Sequence, residues 1–293
     1  YQLYGKNNPF YAEGLNDLAF DYYNLGQNER AISLIREYLP MVRYFLLNSF
    51  IGLTSNERFM FWNRFSIDLE TNIPLLIIHS DTPHSASLLF DNTALFAKNL
   101  LLSTELEMTK LIQESGDAEA QLMYSEYREN RQLLNHQYSK PIKERNINCD
   151  SLERVSSTLE RQLVSRVKEF GDYTRNLNIT WRDVQNKLDD NDIAIEFLSY
   201  PELDGTIVYA ALSLCKNDTT PVLTQLFVET QLLSSKSIEE TYQTPLTDAL
   251  VWGGLSSRLE GKSHVYFSAS GMLHNIGIEY LPSMEGKDCH RLS

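Results

Sequence analysis

The sequence predicts an α + α/β fold, in which a helical first region feeds a region of strands and helices. Three observations carry this expectation. Up to about residue 178, apolar residues recur at helical spacing and the breaks between runs fall at glycine or proline. DIAIEFLSY (192–200), GTIVYAALSLC (205–215) and PVLTQLFVE (221–229) then bring β-branched and aromatic residues, separated by turn-forming clusters. A helical stretch around Pro245 to Leu259 and the short strand-like run HVYFS follow. With 293 residues, 42% of them apolar, the chain is long enough for two domains, each with a core.

The first helical stretch, YAEGLNDLAFDYYNLGQNERAISLIREYLP, sets Leu15, Leu18, Ala19 and Tyr22 at helical spacing and breaks at Gly26. It resumes with Ala31, Ile32, Ile35 and Leu39, and Pro40 predicts the end of the second helix. The order Ala19, Tyr22, Gly26, Ala31 resembles a tetratricopeptide repeat (TPR), whose small residues let two helices pack closely. One such unit cannot bury its own face, so further repeats are expected before Tyr1. The start without methionine agrees with a segment of something larger. This TPR-like hairpin is assigned to residues 1–50.

A helical linker is predicted over 51–178. Thr54-Ser-Asn-Glu57 is a capping-box pattern, and Phe59, Phe61, Trp62 and Phe65 behind it form an aromatic stripe suited to inter-helix packing. A long apolar helix is expected from beyond Pro83, through Ala86, Leu89, Ala94, Leu95, Ala97 and Leu101, to about Glu114. Gly116-Asp117 breaks it, and a charged helix follows from Ala118 to Tyr138, with Pro141 beyond. In DSLERVSSTLERQLVSRVKEF one stripe carries Leu152, Val155, Leu159, Leu163 and Val167, with charges opposite.

The third region, 179–293, opens at Thr180-Trp-Arg-Asp183, where threonine can cap a short helix ending near Leu188. The three strand-like runs after it read as an antiparallel meander.

Charge narrows the function classes. With 26 Lys+Arg against 39 Asp+Glu the net charge is −13, which repels phosphate backbones and anionic membrane surfaces, and no basic run interrupts the acidic helices. No nucleic acid and no membrane is expected as a partner. The longest apolar run, around Pro74-Leu-Leu-Ile-Ile78, falls far short of the roughly 20 residues needed to span a bilayer. Cys149, Cys215 and Cys289 are odd in number and widely spaced, which favours reduced thiols in a cytoplasmic setting.

WRDVQNKLDDNDIAIEFLSY, the strand before Pro221, and LVWGGLSSRLEGKSHVYFSASGMLHNIGIEYLP together resemble the opening of a CHAT domain. This is the caspase-like cysteine peptidase domain, related to separase and found attached to TPR repeats. LTSNERFMFWNRF, PHSASLLFDNTALFAKNLLL and LIQESGDAEAQLMYSEYRENRQLL resemble the linker helices of bacterial members. The resemblance implies that 179–293 is the N-terminal part of a caspase-like α/β domain, with Val265 to Ser268 as its first core strand. It departs from the family at Ser268-Ala-Ser-Gly271 and Ile276-Gly-Ile-Glu279, where the family's prolines are missing.

The family's catalytic histidine, usually followed by glycine, and its cysteine in a Ser-Ala-Cys context find no match between Tyr1 and Ser293. The resemblance therefore implies a cysteine endopeptidase whose dyad lies outside these residues, and a fragment that is itself inactive. No catalytic, cofactor-binding or metal residue is assigned. The alternative is a protein–protein interaction scaffold with a pseudo-peptidase domain; in either case a protein or peptide partner binds through the helical repeats, and the acidic balance favours a basic or apolar one.

Several residue groups invite a site and are set aside on their chemistry. Cys289 and His290 are adjacent, so in an extended segment their side chains diverge. Cys215 lies between Leu214 and Lys216, and Cys149 in a polar linker. Ser268, Ser270, His274 and Glu279 hold the ingredients of a serine triad, but Ser-Ala-Ser-Gly lacks the first glycine of a nucleophile elbow; a turn, with the histidine near the core, is expected instead. His79, Asp81 and His84 lack a further ligand at zinc spacing. Asp189-Asp190-Asn191-Asp192 and Asp17 to Asp21 lack a calcium-loop pattern and read as turn and cap chemistry. An unfinished sheet predicts self-association or poor order near Met284 to Ser293.

Overall fold

A computed structural model describes residues 9–80, 82, 85–170, 175–232, 242 and 245–281. Contacts divide it into two compact units. One holds the described residues up to Leu39, Ser66–Lys98 and those from Ile179 onward; the other holds Pro40–Phe65 and Asn99–Asn178. The sequence reading instead divides the chain at about 50 and 178.

The first unit is built on a four-stranded mixed sheet of order β3-β2-β1-β4, from β1 (Asp192–Pro201), β2 (Ile207–Cys215), β3 (Val222–Val228) and β4 (His264–Ser268). β1, β2 and β3 form the expected antiparallel meander, and β4 lies parallel to β1 with Glu196 level with Ser268. The β1–β2 turn closes through Glu202 N–H donating to Thr206 O at 2.8 Å, with Gly205 at φ 84°, a conformation that glycine alone adopts without strain.

Because strand side chains alternate, β1 faces two cores. Ile193, Ile195 and Phe197 join Tyr209, Ala211 and Phe227 on one face, against Val251 and Trp252 of a helix over Pro245–Trp252 and Leu255 beyond it. Trp252 meets Phe197 edge-on at 5.5 Å and Phe267 at 5.8 Å, and its indole N–H donates to Ile278 O at 2.9 Å. On the opposite face Tyr200, Val208 and Ala210 pack against Leu75 of the helix Ile73–Ser80, which uses the chain's most apolar run to cover the sheet. Each such large side chain contributes about 1.5–3 kcal/mol by leaving water.

Several helical expectations need correction. The helix Asn28–Phe50 runs through Pro40, because the buried residues Ile35, Leu39, Val42, Leu46 and Phe50 continue one stripe across it. That burial outweighs the roughly 3 kcal/mol that an internal proline costs. In Pro9–Asn24 the buried stripe is Ala12, Leu15, Asn16 and Ala19, while Leu18 is 42% exposed. The expected long helix to Glu114 is three pieces: Ser85–Leu89, a π-type stretch Phe90–Ala97, and Leu100–Glu114. The wider turn shows in Lys98 N–H bonding Thr93 O, five residues back. The stretch Pro245 to Leu259 likewise breaks into a tight turn at Gly253–Leu255 before Ser256–Leu259. Among the described residues β4 lies at the edge of the sheet and none of its residues is fully buried, though Val265 and Phe267 pack against the core.

The second unit is helical. Met108 and Ile112 from Leu100–Glu114, Ala120 and Tyr127 from Ala118–Tyr138, and Leu163, Val164 and Val167 from Cys149–Phe170 form its core. Of the expected stripe on the last helix, Val155 is 45% exposed, and the polar residues Ser156 and Glu160 are buried instead. The reason is local: Glu160 Oε1 accepts from both the N–H and the hydroxyl of Ser55, each at 2.5 Å, and so satisfies the start of the helix Ser55–Ile67. The expected capping box is present beside it, with Thr54 N–H donating to Glu57 Oε2 at 2.9 Å. Trp62 and Phe65 of the aromatic stripe are buried, and Phe59 is exposed. No helix among the described residues is long and apolar enough to cross a membrane.

Candidate functional site

The strongest candidate lies in the sheet unit, where β4 ends level with Glu196 and β1 runs on to Pro201. Open sheets bind ligands beyond the carboxyl ends of parallel strands, because the loops leaving those ends diverge and leave a crevice. Here a cavity of about 330 Å³ is lined by Leu198, Ser199 and Tyr200 of β1 and by Ser270 from the turn after β4. Its other wall comes from two wide helical turns: Glu70 and Thr71 belong to the π-type stretch Asp68–Asn72, and Thr93 and Lys98 to Phe90–Ala97 and the residue after it. π-type turns widen a helix locally and recur at functional sites. The Thr93 hydroxyl donates to Leu69 O at 3.0 Å and so ties the two together.

Beneath this wall sits a charge pair. Lys98 Nζ donates to Glu196 Oε2 at 3.1 Å, to Ser268 O at 3.2 Å and to Phe197 O at 3.4 Å. The side chains are 20% and 15% exposed. Burial pushes the Glu196 carboxyl up and the Lys98 ammonium down, and in each case the partner's charge opposes the shift; a hydrogen bond from Ser268 also favours the carboxylate. All three ammonium hydrogens are committed, so Lys98 is an internal strut and not an available base.

The turn after β4 is held by Tyr209. Its hydroxyl accepts from Met272 N–H at 2.7 Å and donates to Glu229 at 2.9 Å, while its ring stacks on Phe227 at 4.6 Å. Ser270 and Ser199 share a hydrogen bond of 3.0 Å between their hydroxyls. Burial pushes the Tyr200 hydroxyl up to about 12, with the Glu202 charge adding to the effect, so it stays neutral at ordinary pH. That hydroxyl is buried and has no hydrogen-bond partner among the described residues. Glu70 is exposed, yet the protein mass around it raises its carboxyl.

The residues singled out from sequence are dispersed. Ser268 and Ser270 do flank this site, but His274 is exposed, not near the core, and no hydrogen bond joins it to either serine. His274 is therefore not placed to activate Ser270. His79 Nε2 lies 3.0 Å from Glu202 Oε2, while Asp81 and His84 fall outside the described residues. Cys149 is buried and Cys215 half-buried, both free thiols; Cys289, His290 and the segment Met284 to Ser293 fall outside the described residues. Asp192 accepts from Asp189 N–H at 2.9 Å and faces His264 Nδ1 at 2.9 Å, while Lys262 Nζ donates to Asp190 O, so the acidic turn is tied to the start of β4. Asp17 and Asp21 are exposed on the first helix.

Sequence reasoning missed Lys98, Glu196, Glu70 and Tyr200. The signal for the first two was present: a lone lysine in LFAKNLLL and a lone glutamate in IAIEFL, each a charge inside an apolar run. Among the described residues the lining of the cavity offers serine and threonine hydroxyls and an exposed carboxylate, and no histidine or cysteine.

No protein-family model, curated protein or solved structure matches the chain.

Proposed function

We propose that this chain is the N-terminal portion of a CHAT-type, caspase-like cysteine endopeptidase. Its helices serve as regulatory and interaction elements, and the catalytic histidine and cysteine are contributed by sequence outside residues 1–293. The observation that most supports the reading is the parallel β1–β4 pair with a cavity at its carboxyl end. β4 has no second neighbour among the described residues, so its free edge can accept a further strand. The free thiols Cys149 and Cys215 favour a reducing, cytosolic setting. Two measurements test the reading. The reading frame beyond Ser293 should encode a strand ending in His-Gly and a later Ser-Ala-Cys. The 293-residue chain should cleave no peptide in a mixed-sequence library. Cleavage abolished by Cys215→Ser or Cys289→Ser, or a downstream frame lacking both motifs, would overturn it.

A second reading, an interaction scaffold carrying a pseudo-peptidase domain, is favoured by a groove of about 1090 Å³ in the helical unit. The exposed ring of Phe59 lies there beside Arg131 and Arg154. A downstream frame without the dyad, together with a peptide partner whose binding is lost in Phe59→Ala, would select it.

A further inference from the structure

We propose that the outer face of the helix Ser55–Ile67, with the groove beside it, docks an amphipathic helix of a partner protein whose apolar stripe is flanked by carboxylates. The helix Ser55–Ile67 is apolar on two sides. On one, Trp62 and Phe65 are buried together with Arg58. On the other, Phe59 is 51% exposed, Met60 67% and Ile67 64%. At about 100° per residue these three fall within an arc of roughly 100°, turned away from the buried side. Single exposed apolar side chains are ordinary, whereas three large ones on one helix face mark a surface that a partner covers.

The groove of about 1090 Å³ supplies the charge. Phe59 lines it together with residues of the helices Ala118–Tyr138 and Cys149–Phe170. Of its three arginines, two have donors to spare: Arg131 makes no hydrogen bond or ion pair among the described residues, and Arg154 spends only its Nε, on Asp150 O at 3.2 Å. Arg161 is paired with Glu57 at 3.1 Å. The lining carboxylates are already answered. Glu160 is buried and accepts from Ser55, Glu153 interacts with the Tyr138 hydroxyl, and Asp150 stands in the first turn of its helix, where the helix dipole favours a negative charge. Unspent guanidinium forks match carboxylates, so the groove selects an acidic flank although the whole chain, at −13, favours a basic partner. Its walls are helical and offer an extended peptide no strand edge, whereas an incoming helix presents anchors on successive turns, as Phe59, Met60 and Ile67 do. A second copy is disfavoured, because it brings a further −13 to the same contact. The proposed partner rests on the interaction groove of the second reading and not on the fate of the dyad.

The test is fluorescence anisotropy of the full 293-residue chain with labelled synthetic helices that carry one leucine stripe flanked by glutamates or, in a second peptide, by lysines. Saturable binding of the glutamate peptide is expected, with the lysine peptide about tenfold weaker or more. Met60→Ala and Phe59→Ala should each weaken the glutamate peptide about tenfold. Arg131→Glu should weaken it and strengthen the lysine peptide, a reversal that a merely structural role would not produce, while the remote Lys187→Glu leaves both unchanged. All four side chains are exposed, and circular dichroism melts confirm that each variant folds. Stronger binding of the lysine peptide, or affinity unmoved by Arg131→Glu, would overturn the acidic partner while leaving the groove as an interaction site. No binding of either helix would overturn the proposal, as would dimerisation in sedimentation equilibrium that Met60→Glu abolishes, or cosedimentation with phosphatidylserine vesicles lost in the same variant.

Discussion

Lys98 and Glu196 meet at 3.1 Å although 98 positions separate them, and each is largely withdrawn from water. A buried pair of this kind adds little net stability over an apolar pair, because desolvation offsets the Coulomb gain; breaking it is costly, because one charge is left alone. We expect Lys98→Met to lose about 3–5 kcal/mol in urea unfolding, and Lys98→Met with Glu196→Leu to recover most of it. Single and double variants of equal stability would show that the two groups are not coupled.

Tyr200→Phe should behave oppositely to a usual core polar deletion. Its hydroxyl makes no hydrogen bond, so its removal gives back a desolvation cost and loses nothing. The midpoint of thermal unfolding is expected to stay level or rise, by up to about 1 kcal/mol of stability. A clear drop would mean that the oxygen is satisfied after all.

Gly271 occupies φ 54°, and a Cβ there would collide with the Tyr209 hydroxyl and lie 2.9 Å from Ser199 Oγ. Gly271→Ala should therefore cost about 1–3 kcal/mol, from the left-handed backbone and from displacement of Tyr209 from Met272 and Glu229. Fluorescence-monitored unfolding of Gly271→Ala beside Gly254→Ala, which meets only the Leu226 and Thr224 side-chain tips at 3.1 and 3.4 Å, gives the comparison. Equal losses would remove the Tyr209 contact from the explanation.

What the sequence disclosed follows the reach of each interaction. The meander β1–β2–β3, the capping boxes at Thr54 and Thr180 and the helix Ala118–Tyr138 are set within a few residues, and their alternation, cap chemistry and breaks are visible in one dimension. Pro40 misled because a local stop signal competes with a buried stripe that only packing reveals. The burial of Glu160, among the charges opposite the expected stripe, is invisible in the sequence because its partner Ser55 is 105 positions away. The candidate site was legible only as fragments: two lone charges in apolar runs, with nothing in either run to say that they face each other. His274 shows the converse, since residue types that suggest a triad lie close in sequence, yet His274 is exposed and no hydrogen bond joins it to Ser268 or Ser270.

The acid response should report on Asp218 and Arg258. Two guanidinium nitrogens of Arg258 hold the carboxylate, one of them at 3.0 Å to Oδ1, and Cys215 N–H donates to Oδ2 at 2.6 Å. Burial alone would raise the Asp218 carboxyl, but these hydrogen bonds and the Arg258 charge outweigh it and hold the group below its ordinary value. A carboxyl lowered in the folded state contributes stability that is present above its unfolded value, about 3.9, and is lost as pH falls through the folded one. The stability gap between the native protein and Asp218→Asn should therefore be constant near neutral pH and shrink below about pH 4. Arg258→Met should shrink that loss and complete it at higher pH, since it removes the largest stabiliser of the carboxylate and brings the folded value up, while leaving the Cys215 bond. Urea titrations from pH 2 to 7 of the three proteins decide this, at roughly unit spacing across the range where carboxylates titrate; parallel curves throughout would mean that Asp218 is not held ionised by Arg258.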